Sequence, residues 1–270
     1  MSLPLFPPNE DPGPSFHALL RKLDLSPTPP TAGAAAAISA GLTITHGTTI
    51  VALRYADGVI MAGDRRATAG NIIAQRDIEK VHAADRWSGV AISGAAGFGL
   101  ELIKQFQLEL EHYEKVTGNA LSLEGKANML ATMVRANLGM AMQGFIVVPL
   151  FAGYDTRRRR GRIFSYDPTG GRNEEKDFDA TGSGGRDART TIKLGWTEGM
   201  DRDAAIELAV QSLYEAAEED SATGGPDAVR GIYPTVATIT AAGYEDVPES
   251  EVGERFAALI AHKTERGLNR

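Results

Sequence analysis

Apolar positions along the chain follow two rhythms, one of period two and one close to period three and a half, and each predicts its own kind of element. Residues 48–55 (TTIVALRY) and 59–62 are β-branched or apolar, and Ala56-Asp57-Gly58 between them predicts a hairpin. A second strand pair is predicted at 80–82 and 87–93. The rhythm then turns helical over 97–116, where Leu102, Ile103, Phe106, Leu110 and Tyr113 form an apolar stripe and Gly118 marks the stop. Leu123, Ala127, Leu130, Val134 and Leu138 repeat at the same spacing, predicting one helix over 122–142. Strands follow at 145–154, 163–167 and 178–181, and helices at about 185–195 and 201–218. A strand pair over 235–247 and an amphipathic helix over 248–262 complete the series. Strands then a helix pair, twice over, is not the alternation of a doubly wound sheet. It predicts an α+β fold in which antiparallel sheets are each covered on one face by a helix hairpin, two such halves making a sandwich with its helices outside.

Residues 1–47 fit neither rhythm. Eight of the chain's 13 prolines lie in residues 1–30, and 31–41 reads TAGAAAAISAG. Only 15–25 is patterned: Phe16, Leu19, Leu20 and Leu23 share one face of a short helix that Ser15 can cap. The segment is therefore read as lying outside the packed domain, either as an idle tail or as a piece to be removed.

Composition narrows the function. The chain has 270 residues, 43% of them apolar, enough for one large domain or two modest ones with a sizeable core. A net charge of −7, from 28 Lys and Arg against 35 Asp and Glu, argues against a phosphate-tracking surface, so no nucleic-acid partner is expected. The absence of cysteine excludes a disulfide framework, a thiolate metal site and a cysteine nucleophile, and suits a reducing compartment. No run approaches the roughly 20 apolar residues of a membrane span. Pro4, Pro7, Pro8 and Asp11 stand where a secretory signal needs basic and then apolar residues, so the expected location is the cytoplasm, away from membranes.

The usual catalytic groupings are missing. His17, His46, His82, His112 and His262 offer no HExxH or comparable metal spacing, so neither metal nor cofactor is expected. A Ser-His-Asp triad would have to use His82, with no GxSxG elbow to supply its serine. The GAAGFG run at 94–99 superficially resembles a dinucleotide turn, but a helix hairpin follows it where a parallel strand ending in an acid is required. The TGSGG run at 181–185, taken alone, is a turn. Arg157 to Arg160, with Arg162, reads as a solvated hairpin tip, and Met129, Met133, Met140 and Met142 read as core or helix–helix contact. Asp64 and Lys80, at neighbouring strand ends, could form either a surface ion pair or a buried pair that tunes a nucleophile.

One set of residues resembles a known family. His46-Gly47-Thr48-Thr49-Ile50-Val51-Ala52-Leu53, then Gly63-Asp64-Arg65-Arg66-Ala67-Thr68, then Lys80, are similar to the proteasome β subunits, most closely the actinobacterial type. The likeness continues through Gly94-Ala95-Ala96, 111–115 (EHYEK), Met142-Gln143-Gly144, Ala152-Gly153-Tyr154-Asp155, Thr181-Gly182-Ser183-Gly184 and 220–227 (DSATGGPD). It spans nearly all of 46–255, with several independent motifs in order.

The resemblance implies a four-layer αββα sandwich of the N-terminal nucleophile hydrolase type, with catalytic domain 48–270 and a propeptide, 1–47, removed by self-cleavage at Gly47–Thr48. It implies that Thr48 is the nucleophile, its freed α-amine the base. Lys80 would touch the Thr48 hydroxyl, Asp64 would orient Lys80, and the Gly94 N–H would face the oxyanion. Ser183, Asp220 and Thr223 correspond to the supporting polar residues, Thr223 replacing a serine found in many relatives. Arg66 is given a structural ion pair. Ala67, Ile78, Ile92 and Ala96 map to the first substrate pocket, and their apolar character implies cleavage after hydrophobic residues. Stacked heptameric rings with proteasome α subunits and further β subunits, unfolded protein substrates, a ring ATPase and a small protein tag are implied at greater distance. Three other readings remain: the peptidase of the bacterial two-component ATP-dependent protease, an inactive ring-forming subunit, and a nucleotide-binding module.

Overall fold

The computed structural model describes residues 13–23, 47–265 and 267. Two five-stranded antiparallel sheets lie face to face. The first contains β1 (Thr49–Tyr55), β2 (Gly58–Gly63), β10 (Phe178–Gly182), β11 (Thr235–Thr240) and β12 (Tyr244–Asp246), in the order β10-β1-β2-β11-β12. The second runs in sequence order through β5 (Val81–Asp85), β6 (Ser88–Gly94), β7 (Val147–Asp155), β8 (Arg160–Tyr166) and β9 (Arg172–Glu175). A separate hairpin joins β3 (Ala67–Ala69) to β4 (Ile72–Gln75).

Three apolar layers hold the sandwich. Side chains alternate across a strand, so β1 sends Ile50 and Ala52 inward to meet Ala91, Leu150 and Ile163 of the other sheet. Val51 and Leu53 face outward, against α5 (Gly185–Gly195), α6 (Arg202–Glu219) and α7 (Glu249–Glu265). Burial on both faces is why β1 reads as a continuous apolar run rather than an alternating one. On the far side, Val90, Phe151 and Phe164 pack against Phe106 and Leu110 of α2 (Ala96–Thr117) and Leu130 and Val134 of α3 (Leu123–Ala136). Phe106 meets Phe151 edge-on at 83° with centroids 5.8 Å apart, a favoured aromatic geometry. The result is the αββα sandwich that the sequence led us to expect.

The expectations fail in several places. The helix predicted over 122–142 ends at Ala136, where the Asn137 side-chain amide donates to the Met133 carbonyl and the chain leaves the helical path. A short helix, α4 (Leu138–Ala141), follows, and Leu138 continues the apolar spacing without being buried. Met129 and Met133 pack on the core, but Met142 is exposed. Arg157 to Arg160 do form a solvated hairpin tip, whereas Arg162 is buried. The β3–β4 hairpin and β9 were not predicted at all. In the tail, Ser15 caps α1 (Phe16–Lys22) as expected, but the helix is not idle. It lies on α2, with the Phe16 N–H donating to the Glu109 carboxylate at 2.9 Å and the Phe16 ring against His112. Residues 24–46, which carry the rest of the tail expectations, lie outside the described residues. No helix among the described residues is long and apolar enough to cross a membrane.

Candidate active site

Register alone brings the site together. Thr49 pairs with Gly182 of β10, and Ile50 pairs with Gly63 of β2, so both neighbouring strands end beside the start of β1. Asp64 follows β2 directly and Ser183 follows β10. The loop from Asp220, the C-cap of α6, to β11 returns to the same end, because Thr235 pairs with Gly63. Three segments far apart in sequence thus converge on Thr48. Gly182 is obligatory here: its φ is +105°, and a Cβ would lie 1.8 Å from the Thr48 carbonyl oxygen. What reads as a plain turn in the sequence is the seat of Thr48, whose carbonyl accepts from the Ser183 N–H at 2.8 Å.

Asp64 is fully buried and its carboxylate accepts four hydrogen bonds. Oδ1 takes the Thr49 N–H and Lys80 Nζ, both at 2.7 Å, and Oδ2 takes the N–H groups of Arg66 at 2.9 Å and Gly224 at 2.8 Å. Of the two readings of the Asp64–Lys80 pair, the buried one is therefore correct. Lys80 also donates to the Arg66 carbonyl at 2.6 Å, and its own carbonyl accepts the Ile92 N–H at 3.1 Å, tying it to β6. Burial pulls the Lys80 ammonium below the ordinary lysine value, against the opposing pull of Asp64.

A chain of hydroxyls runs behind Thr48. The Gly184 N–H donates to Thr49 Oγ1 at 3.0 Å, Thr49 Oγ1 lies 2.6 Å from Thr223 Oγ1, and Thr223 donates to Asp220 at 2.6 Å. With the Thr223 proton committed to Asp220, the Thr49 hydroxyl donates to Thr223. Ser183 donates to the same Asp220 oxygen and accepts from the Thr48 N–H at 3.3 Å. Burial raises the Asp220 carboxyl, but Ser183, Thr223 and the Ala222 N–H together hold it below its ordinary value. The Thr48 hydroxyl donates to the Gly47 carbonyl at 2.7 Å, and the Gly47 N–H donates to Thr68 Oγ1 at 3.1 Å.

Thr48, Asp64, Lys80, Ser183, Asp220 and Thr223 thus form one hydrogen-bonded cluster, joined through Thr49. Lys80 does not make the expected contact to the Thr48 hydroxyl: its ammonium donates to Asp64 and the Arg66 carbonyl, while the hydroxyl donates to Gly47. Gly94 closes β6 at a φ of +106°, where a Cβ would strike the Ile146 carbonyl. Among the four pocket positions, Ile92 is the most enclosed, lying in the core with Cδ1 over Gly99 of α2. Ala67, Ile78 and Ala96 are half-buried. Arg66 makes its contact to the Ser221 carbonyl at 3.0 Å instead of through the expected ion pair. Sequence reading missed Thr49, which links two halves of the cluster, and Thr68. The doubled threonine at 48–49 was the available signal for the first. Among the described residues no group of three or more His, Asp or Glu is placed to hold a metal.

The four-layer sandwich, with a buried threonine opening a central strand, is the architecture of the N-terminal nucleophile hydrolases. A family model described as proteasome subunit matches residues 44–230, and the chain belongs to that family. It is 57% identical over its whole length to a proteasome subunit beta of Acidimicrobium ferrooxidans, covering 97% of that relative. It is also 55% identical over 82% of its length to a proteasome subunit beta of Streptomyces griseus, and 54% over 82% to one of a Parafrankia species, covering 79% and 80% of those chains. The chain is a threonine-type peptidase of this family.

Proposed function

We propose that the chain is made as a zymogen and that Thr48, released by its own attack on Gly47, becomes the nucleophile of an endopeptidase subunit in the proteasome core. The observation that carries this reading is the hydrogen bond from the Thr48 hydroxyl to the Gly47 carbonyl, beside the buried Asp64–Lys80 pair. Its acceptor is the oxygen bonded to the very carbon that Thr48 Oγ1 has to attack. Before cleavage the Thr48 nitrogen is an amide and cannot act as a base, so Lys80 and solvent water manage the hydroxyl proton. Oγ1 adds to the Gly47 carbon, the C–N bond breaks, and the nitrogen takes up a proton to become an amine. The resulting ester is hydrolysed by water to a Gly47 carboxylate and the restored Thr48 hydroxyl. In later cycles the amine accepts the hydroxyl proton, directly or through water, as Thr48 attacks a substrate carbonyl. The positive charge of Lys80 favours the deprotonated oxygen, and the Gly94 N–H receives the oxyanion.

Residues 1–47 are then a propeptide, and the seat of α1 on α2 gives that helix a fixed place during assembly. The subunit joins α subunits and other β subunits in stacked heptameric rings in the cytoplasm, enclosing unfolded substrates delivered through a ring ATPase. The apolar set Ala67, Ile78, Ile92 and Ala96 favours hydrophobic residues before the scissile bond. Particles assembled with the cognate α subunit test this with short peptides. Cleavage after Leu or Tyr should exceed cleavage after Arg or Glu, and Thr48→Ala particles should cut none. A preference for Arg would contradict the pocket, and activity without the Thr48 hydroxyl would contradict the nucleophile.

A further inference from the structure

Gly47 is held at three points. Its N–H donates to Thr68 Oγ1 at 3.1 Å, its carbonyl accepts the Thr48 hydroxyl at 2.7 Å, and its Cα presses on Ala222, so that a Cβ would fall 1.9 Å from the Ala222 Cβ. The second contact joins the proposed nucleophile to the carbonyl it attacks, and the third explains why only glycine fits. The first has no part in the roles assigned above. Thr68 belongs neither to the Asp64–Lys80 pair nor to the hydroxyl chain, and it sits in a hairpin outside both sheets. The local backbone nevertheless places it with care. The register of β3 with β4 shifts between Ala67 and Thr68, and residue 68 is buried between a half-buried Ala67 and an exposed Ala69. Irregularities of this kind re-aim one side chain while the ladder continues.

We infer that the Thr68 hydroxyl is a positioning group for the self-cleavage step, clamping the Gly47 amide so that the carbonyl carbon keeps its face toward Thr48 Oγ1. The inference rests on the self-cleavage reading and deepens it. Attack by a residue on the carbonyl immediately before it needs a tightly bent backbone, and a peptide free to swing spends little time in that geometry. A fixed N–H on one side of Gly47 and Ala222 beneath it leave the carbonyl few orientations. The clamp acts once. When the C–N bond breaks, its partner N–H departs with the propeptide, and Thr48 remains held by Ser183 and the Asp64 end of the cluster. Thr68 therefore serves the first cut more than it serves later turnover.

The test is a time course of processing in particles formed with the cognate α subunit, followed by intact mass, for wild type, Thr68→Val, Thr68→Ser and Thr48→Ala. Peptide hydrolysis is measured per processed subunit. Valine keeps the shape and removes the acceptor, so loss of one hydrogen bond should slow processing roughly three- to tenfold. Serine should restore the rate, and hydrolysis per processed subunit should fall by a clearly smaller factor than processing. An unchanged processing rate in Thr68→Val would overturn the clamp while leaving self-cleavage standing. So would an equal loss in both reactions, or a failure of serine to rescue, since either marks a role in packing. A wild-type chain that stays full length, or a Thr48→Ala chain that is trimmed, would remove self-cleavage and the clamp together.

Discussion

Three cations among the described residues are almost completely withdrawn from solvent: Lys126, paired with Asp85, Lys80 at one end of the sandwich and Arg162 near the other. The surroundings of the last two differ in kind. Arg162 faces three carboxylates: Glu174, bound through Nε at 2.7 Å and again through Nη2, Glu124, and Asp155 at 3.1 Å. Its guanidinium also lies 4.8 Å from the centre of the Phe164 ring. The hydrogen bonds it donates to Glu174, and then to Glu124 and Asp155, raise its pKa further above the ordinary arginine value, so its charge is permanent. Lys80 faces one carboxylate, already shared among three backbone N–H groups, and burial drives its pKa down. A guanidinium saturated with acids locks β8, β9 and α3 together. An ammonium with a single shared acid keeps capacity for another negative partner, the role proposed for it toward the Thr48 alkoxide. Burial of a charge does not identify a site. Nor does the number of carboxylates it faces, since Lys126 is as buried as Lys80 and is paired with Asp85; what sets Lys80 apart is that its carboxylate also holds the Thr49 and Gly224 N–H groups beside Thr48.

Crossed substitutions would break or sharpen this contrast. The largest effect is expected from Lys80→Met, which should reduce peptide hydrolysis by a factor on the order of 10² to 10⁴ while the assembled particle keeps most of its thermal stability. Asp64 would retain its three backbone donors. Arg162→Met should do the reverse, lowering stability by about 2–4 kcal/mol, with activity per folded subunit close to wild type. The figure sits low in the usual range because Glu124 and Glu174 reach solvent and can be hydrated. If both substitutions moved the same readout, the distinction between a poised and a locked cation would fail.

Thr223→Val should come next. It removes a fully buried hydroxyl that serves both Thr49 and Asp220, and a loss of about 1–3 kcal/mol of stability is expected, seen as a lower thermal midpoint. Thr223→Ser should recover most of it. The smallest effect is a pH dependence. The Asp220 carboxyl lies below its ordinary value of 3.8, so the folded state binds that proton more weakly than the unfolded chain. Its contribution is fully present above that value and fades as pH falls through the folded pKa. Below about pH 4 the wild type should lose stability more steeply than Asp220→Asn, and parallel slopes would contradict the assignment.

Much of this was legible before any coordinates. Strands buried on both faces left unbroken apolar runs, and of the predicted stripe of α2, Leu102, Ile103, Phe106 and Leu110 reach the core while Tyr113 stays half-buried. The β3–β4 hairpin was invisible because it joins neither five-stranded sheet: Ile72 is exposed, and no alternation marks β4. The break at Asn137 was hidden for the opposite reason, since Leu138 prolongs a helical spacing that the chain no longer follows. Within the site, the charged pair and the supporting polar residues came from motif resemblance. Burial and hydrogen bonding then separated a buried pair from a surface one. Thr49 and Thr68 escaped because their importance lies in partners 174 and 21 residues away, which no local pattern encodes.

The most direct test of the central claim is the intact mass of this chain purified from particles made with its cognate α subunit, with Thr48→Ala alongside. Self-cleavage predicts that the wild type loses residues 1–47 and begins at Thr48, while the Thr48→Ala chain keeps its full length. Full-length chains in both assembled particles would contradict a self-releasing threonine and leave a structural subunit. Equal trimming of both would assign the cut to another protease.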